Sequence, residues 1–284
     1  MSQVLAAPPL EFEEIVKNLI TEDDEPVDNM YSGDQQRLLV EPLYSCWTPP
    51  PGEDTPNEPR PFLAHANVGV FYGVRQPPLV PDMFLSLDVQ VGPEWANTGE
   101  PRSYFLWEFG KAPDVAVEIV SNKVGHELSR KLRDYARIGV DYYVVYDPWF
   151  MLGEAELRVY ELSATPFGRR YLLREDFQLP GVGLSLMLWE GFFEGARTRW
   201  LRWCEANGNL IPSGNEKAEQ EAARANQEAT RANQEAIRAN QEATRANQEA
   251  ARANQEAVRA NQEATRAGRL AAKLREMGVD LDNL

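Results

Sequence analysis

Pro113-Asp-Val-Ala-Val-Glu-Ile-Val-Ser121 is the stretch on which the fold turns. Apart from Asp114 and Glu118 it is almost continuously apolar, as expected of a strand covered on both faces. Downstream, Glu127–Ile138 has a helical pattern that Gly139 closes. A second apolar strand follows over Asp141–Tyr146 and stops at Asp147-Pro148. Further on, Leu157–Leu162 and Arg169–Glu175 read as a hairpin across Thr165–Gly168. Upstream, Val80–Val91 opens with Pro81 and alternates Met83, Leu85, Leu87 and Val89. Tyr104–Glu108 and the β-rich Phe62–Tyr72 add short strands, and polar residues fill Gly92–Ser103. Gln35–Trp47 carries a helical stripe of Leu38, Leu39, Val40, Leu43 and Trp47. Thr48–Arg60, with five prolines, is a loop. Helix, three or four strands, helix, strand and hairpin imply an α/β domain built on a mixed sheet.

Two carboxylates in this framework are hard to explain as surface groups. Glu118 lies inside an apolar strand, where a carboxylate is costly unless something positive meets it. Asp114 shares its strand face, but four residues of strand span ~13 Å, too far to share one ion. The partner must come from a neighbouring strand. Asp82, in the first of two Pro-Asp pairs that open strands, Pro81-Asp82 and Pro113-Asp114, is the natural candidate. Two carboxylates, a backbone carbonyl and waters suit Mg²⁺, which activates a water and neutralises a phosphate in diester cleavage. A lysine near the phosphate would complete the set. Lys123, just past the strand, and Lys131, early in the following helix, both fit, although Lys131 can also pair with Glu127 or Asp134 on a helix surface. His126 reads as a surface residue at the helix start, and the Trp and Tyr residues over 142–203 as core.

The C-terminal part is a repeat. Arg-Ala-Asn-Gln-Glu-Ala begins at Arg224, Arg231, Arg238, Arg245, Arg252 and Arg259. The period of seven returns one face into register every two helical turns. Neither Pro nor Gly interrupts Glu216–Ala267, so one continuous helix from about Asn215 to Arg266 is expected. Its heptad stripe is alanine, which buries little area, so it reads as a coiled coil of modest strength or as a single solvated helix. Gly268 is expected to interrupt it, leaving Leu270, Leu274 and Met277 as a short amphipathic tail. The resulting organisation is an acidic arm over 1–28, a globular domain over 29–212, the heptad helix over 213–267 and the tail over 268–284.

The chain has 284 residues and a net charge of −15. That total argues against a generic nucleic-acid coat. The excess is uneven, however: residues 1–60 hold 13 acids against 3 bases, whereas 111–137 hold 6 bases against 4 acids. Two cysteines and two histidines exclude a disulfide scaffold and a Cys/His zinc cluster. A reducing cytoplasm is the expected compartment. No apolar run reaches the ~20 residues of a membrane span.

Three runs in order carry a family resemblance: Pro113–Ser121, then Lys131-Leu-Arg-Asp-Tyr-Ala-Arg-Ile-Gly-Val140, then Tyr143-Val-Val-Tyr-Asp-Pro148. Asp34-Gln-Gln-Arg37 and Val80-Pro-Asp-Met83 also match, and the terminal Leu270–Gly278 is similar to tails in the family. Over about Tyr31–Leu188 the chain resembles the Uma-type restriction-endonuclease-like family, itself similar to a branch of the PD-(D/E)xK nuclease superfamily. The resemblance implies a restriction-endonuclease-like mixed sheet flanked by helices, with Asp82 and Glu118 as metal carboxylates and Ile119 as a backbone-carbonyl ligand. It further implies Mg²⁺ or Mn²⁺ as cofactor and DNA as partner. The superfamily places a lysine two residues after the glutamate, but here that residue is Val120. The family supplies a lysine from the next helix instead, which corresponds to Lys131. Asp34 and Gln36 are expected to add a secondary polar contact, and Asp114 to be structural. The competing function is a catalytically degenerate nuclease fold that acts as an interaction protein and oligomerises through its C-terminal helix.

Overall fold

The computed structural model describes residues 29–52, 57–73, 76–92, 103–122, 125–166 and 168–278. The acidic arm, Lys123 and the last residues of the tail lie outside them. The chain forms two compact units, divided after Lys217.

The first unit is built on a six-stranded sheet ordered β1-β3-β5-β6-β7-β8. Its strands are β1 (Phe62–His65), β3 (Met83–Leu87), β5 (Val115–Ile119), β6 (Tyr142–Tyr146), β7 (Leu157–Thr165) and β8 (Gly168–Leu173). Only β5 and β6 are parallel; the other neighbours are antiparallel. A parallel pair needs a crossover. Here the crossover holds a π-helical turn over Glu127–Lys131 that runs into a helix over Leu132–Ile138. Gly139 ends that helix at φ 94°, donating its N–H to the Tyr135 carbonyl, which is the usual role of a C-terminal glycine. Two-residue strands β2 (Val70–Phe71) and β4 (Tyr104–Phe105) pair in parallel beside this sheet. Residues 104–108 are therefore only partly strand: Leu106–Phe109 turn into a single helical turn, α2.

Helix α1 (Met30–Cys46) precedes the sheet, with the Asn29 side chain capping the Ser32 N–H. The crossover helix is α3 (Leu132–Ile138), and α1 and α3 serve different cores. Leu39 and Leu43 join Met83, Leu85, Val115, Val117, Val144 and Tyr146 on one side of the sheet. Tyr135 joins Ala116, Val120, Tyr143 and Val145 in a second cluster. Alternate residues of β5 thus feed both cores, as the period of a strand requires.

The sequence did not reveal a second sheet. β9 (Gln178–Leu179), β10 (Leu184–Phe193) and β11 (Ala196–Glu205) form an antiparallel sheet ordered β11-β10-β9. Its hairpin turns at Glu194 and Gly195, both at positive φ, as tight hairpin turns demand. Leu184, Leu186, Leu201 and Trp203 bury against the first core. The Gln35 side chain ties α1 to β11 by donating to the Leu201 carbonyl at 2.8 Å and accepting its N–H at 2.9 Å.

The long helix α4 runs from Gly214 to Glu276. Its start is a capping box: the Ser213 N–H donates to Glu216 Oε2 at 2.7 Å, and the Glu216 N–H donates to Ser213 Oγ at 3.3 Å. Glu216 also binds the guanidinium of Arg202 through both oxygens, at 2.8 and 2.6 Å. Arg202 is 1% exposed and stacks on Trp189. Gly268 lies inside the helix rather than at a break. Glycine costs about 1 kcal/mol relative to alanine, too little to stop a helix whose neighbours are strong formers. None of the described residues of α4 is buried.

Candidate active site

The register of β3 against β5 pairs Met83 with Val117, so Asp82 falls opposite Glu118. Asp82 Oδ2 accepts the N–H of Ile119 at 2.6 Å. Within an extended strand a residue's N–H and C=O face the same edge, so the Ile119 carbonyl points toward the strand that carries Asp82. Gln36, from α1, donates to Asp82 Oδ1 at 3.1 Å and is exchanging hydrogen bonds with Asn67. Asp34 is not part of this set and pairs with Arg37 on the helix surface.

Glu118 is 2% exposed, and both of its oxygens are engaged. Lys131 Nζ donates to Oε2 at 2.8 Å, and the Tyr135 hydroxyl donates to Oε1 at 2.7 Å. Burial pushes the Glu118 carboxyl above its ordinary range, and the Lys131 ammonium offsets only part of that. Burial pulls the Lys131 ammonium down, but the carboxylates of Glu118, Glu127 and Asp82 outweigh it and hold the amine charged. Burial also raises the Tyr135 hydroxyl well above its usual value, so it remains a donor.

The π-helical turn seats Lys131. Its N–H reaches back five residues to the His126 carbonyl at 3.2 Å, and His126 stands at φ 59°. A π-turn inside a helix shifts side-chain phase and recurs at functional sites. It brings Lys131 and Tyr135, four residues apart, onto the side of the crossover that faces β5. The alternative surface pairings of Lys131 are weak: Glu127 Oε1 stands 3.7 Å away, and Asp134 pairs with Arg130 and Arg137.

Glu127, which sequence reasoning saw only as a surface partner, adjoins Lys131. It is buried, and its Oε2 has no hydrogen-bond partner among the described residues. Asp82, Glu118 and Glu127 thus bring three carboxyl groups around the Lys131 ammonium. The oxygen-only donor set of Asp82, Glu118 and the Ile119 carbonyl fits a hard cation such as Mg²⁺. Among the described residues no group of three or more His, Cys, Asp and Glu stands close enough to hold a metal by side chains alone; a backbone carbonyl and waters would have to complete the shell.

Two remaining expectations resolve simply. Asp114, at the opposite end of β5, binds Lys111 Nζ at 2.7 Å and accepts the Leu87 N–H at 2.7 Å. It locks β3 to β5 and is remote from the Lys131 end. Val120, the position at which the superfamily carries its lysine, is fully buried among Ala116, Tyr135 and Tyr143. An ammonium there would enter an apolar core.

Residues 54–186 match the family model Uma2, described as "Putative restriction endonuclease". A crystal structure described as "a putative nuclease belonging to DUF820 from Anabaena variabilis" is 16% identical, covers 62% of this chain and 80% of its own, and superposes with a TM-score of 0.35. No curated protein matches the chain.

Proposed function

Through residues 54–186 this chain belongs to the Uma2 family, and from that premise we propose that it is a Mg²⁺- or Mn²⁺-dependent endonuclease that hydrolyses DNA phosphodiester bonds at Asp82, Glu118 and Lys131. The observation that carries the reading is the Lys131 ammonium held 2.8 Å from the buried Glu118 carboxylate, beside an Asp82 anchored on the Ile119 N–H. Asp82, Glu118 and the Ile119 carbonyl would hold the cation, which when bound lowers the pKa of a water and neutralises phosphate charge.

The chain's own groups divide the remaining work. Lys131 is held as an ammonium, so its role is to stabilise the charge that develops on the phosphate oxygens. It is no base, because its neighbouring carboxylates keep the proton on. Tyr135 and Lys131 fix the Glu118 carboxylate plane from two sides, which leaves the second lone pairs aimed away from both donors. Gln36 orients Asp82 in the same manner from α1. Such orientation by surrounding donors typically governs metal affinity tenfold or more.

The test is cleavage of supercoiled plasmid with Mg²⁺ or Mn²⁺, wild type against Glu118→Gln, with calorimetric metal titration of both proteins. Nicked and linear DNA from the wild type alone, with weakened metal binding in the variant, is the expected result. Metal binding to neither protein would sink the proposal. The second reading, a degenerate nuclease fold acting as an oligomerising interaction protein, draws on the 63-residue helix α4. It predicts a wild type inert on DNA whose oligomer size, by light scattering, falls when residues 217–265 are deleted.

A further inference from the structure

The flank of α3 turned away from Lys131 carries a different chemistry. Helical spacing puts Arg130, Arg133 and Arg137 on one side, three and four residues apart. The adjoining strand β8 contributes Arg169 and Arg170, and a groove between helix and strand is lined by Arg133, Ala136, Arg137, Arg169, Arg170 and Tyr171. All four of these arginines are exposed. Their placement is built into the fold. A Cβ at Gly139 would lie 2.5 Å from Arg169 Nη1, so the glycine that ends α3 also lets the Arg169 guanidinium cross the helix C-terminus, where a cation is favoured by the dipole. Arg137 is positioned by the Tyr72 hydroxyl at 2.9 Å and by Asp134 at 3.1 Å. Among the described residues, Asp134, between Arg130 and Arg137, and Asp141, near Arg169, are the acids that meet this cluster. Five guanidiniums thus meet two carboxylates in a chain whose net charge is −15.

We infer that the groove between α3 and β8 is a docking surface for the phosphate backbone of duplex DNA, with Arg133, Arg137, Arg169 and Arg170 as its contacts. The choice of partner rests on the nuclease reading of the Lys131 site. A helix is about 10–12 Å across with its side chains. A strand with one phosphate at Lys131 therefore brings phosphates two or three nucleotides away within reach of the opposite flank. Guanidinium forks suit phosphate oxygens, and exposed arginines with few acids near them are free to engage a polyanion. The surface contacts phosphates only, so it adds affinity and orientation but no sequence preference. It also answers the overall acidity, because binding needs only a locally positive face.

The experiment measures binding of a fluorescein-labelled 25-base-pair duplex to the full-length protein by anisotropy across a KCl series, without divalent metal. Two variants are compared with wild type: a groove quadruple (Arg133→Gln, Arg137→Gln, Arg169→Gln, Arg170→Gln) and a helix quadruple with the same charge change (Arg224→Gln, Arg231→Gln, Arg238→Gln, Arg245→Gln). Each phosphate contact contributes about 0.9 to the slope of log K against log salt. The groove variant should flatten that slope by about 3.6 and bind at least about tenfold more weakly at low salt, while the helix variant binds like wild type. Circular dichroism melts confirm that the groove variant is folded; if it is not, Arg133→Gln and Arg170→Gln singly should each flatten the slope by about 1. Unchanged affinity in the folded groove variants, equal weakening in the helix variant, or a wild type that binds no duplex would overturn the inference. Groove-dependent binding by a wild type that cuts nothing would instead retain the groove and remove the nuclease.

Discussion

Replacing Lys131 by Met should destabilise the globular unit by an amount that depends steeply on pH. The change removes the ammonium 2.8 Å from Glu118 Oε2 and leaves a carboxylate that is 2% exposed, with the Tyr135 hydroxyl as its remaining side-chain donor among the described residues. Removing one partner of a buried ion pair costs about 3–5 kcal/mol. The Lys131 side chain is 28% exposed, so water softens the loss, and about 3 kcal/mol at pH 8 is the expected figure. Acid caps that cost, because Glu118 can take a proton instead. An unfolded glutamate titrates near 4.3 and each pH unit is worth about 1.4 kcal/mol, so protonation at pH 5 costs about 1 kcal/mol. The sign follows from the direction of the shift. Glu118 is already raised by burial, and the variant raises it further. Its contribution is therefore most favourable below the unfolded value and is lost as pH rises through the folded one. Urea unfolding followed by tryptophan fluorescence is the assay, since Trp200 and Trp203 are buried in this unit and α4 contains no tryptophan. Measured at pH 5 and pH 8 against wild type, the loss should shrink from about 3 to about 1 kcal/mol. An equal loss at both values would refute the account of Glu118 as a buried charge held by Lys131.

Tyr135→Phe leaves Glu118 Oε1 without its donor and should cost about 1–3 kcal/mol in the same assay; metal affinity by calorimetry should fall too. Val120→Lys, which restores the superfamily's lysine in sequence, should destabilise by more than about 3 kcal/mol in thermal melts and rescue no cleavage in Lys131→Met, because Val120 is fully buried in apolar surroundings. Glu216→Ala strips both the capping box and the partner of the buried Arg202. With Glu216 itself 34% exposed, the expected cost is about 2–3 kcal/mol by urea unfolding.

The site was legible where a residue violated its local pattern. Glu118 interrupts an otherwise apolar strand, which demands a cationic or metal partner whatever the topology, and Pro81-Asp82 at a strand start offered one on the neighbouring strand. Lys131 was ambiguous for a physical reason: Glu127 and Asp134 sit four and three residues away, and helical spacing alone makes either a partner. A π-turn decides the matter, and neither its unfavourable spacing nor the left-handed His126 leaves a sequence signal. Tyr135 reads as an ordinary core aromatic, and only the fold shows that its hydroxyl meets a carboxylate. The β10–β11 hairpin was hidden by composition. Arg197, Arg199 and Arg202 interrupt its apolar pattern, and Arg202 is buried under Trp189 with Glu216 as its counter-charge. Gly268 misled in the other direction, since one glycine among strong helix formers is tolerated.

The unburied repeat of α4 has a consequence of its own. No residue of the helix packs into a core, so inserting or deleting one seven-residue unit alters no interior contact and adds no net charge. Each unit advances the helix by about 10.5 Å and turns it by about 20° relative to an exact heptad register. Tandem copies in a gene gain and lose units by slippage, and here every such event yields a protein with the same globular unit and a different length. The repeat is thus a quantised dimension of the molecule, free to drift in steps of one unit while the unit that precedes it keeps its packed core.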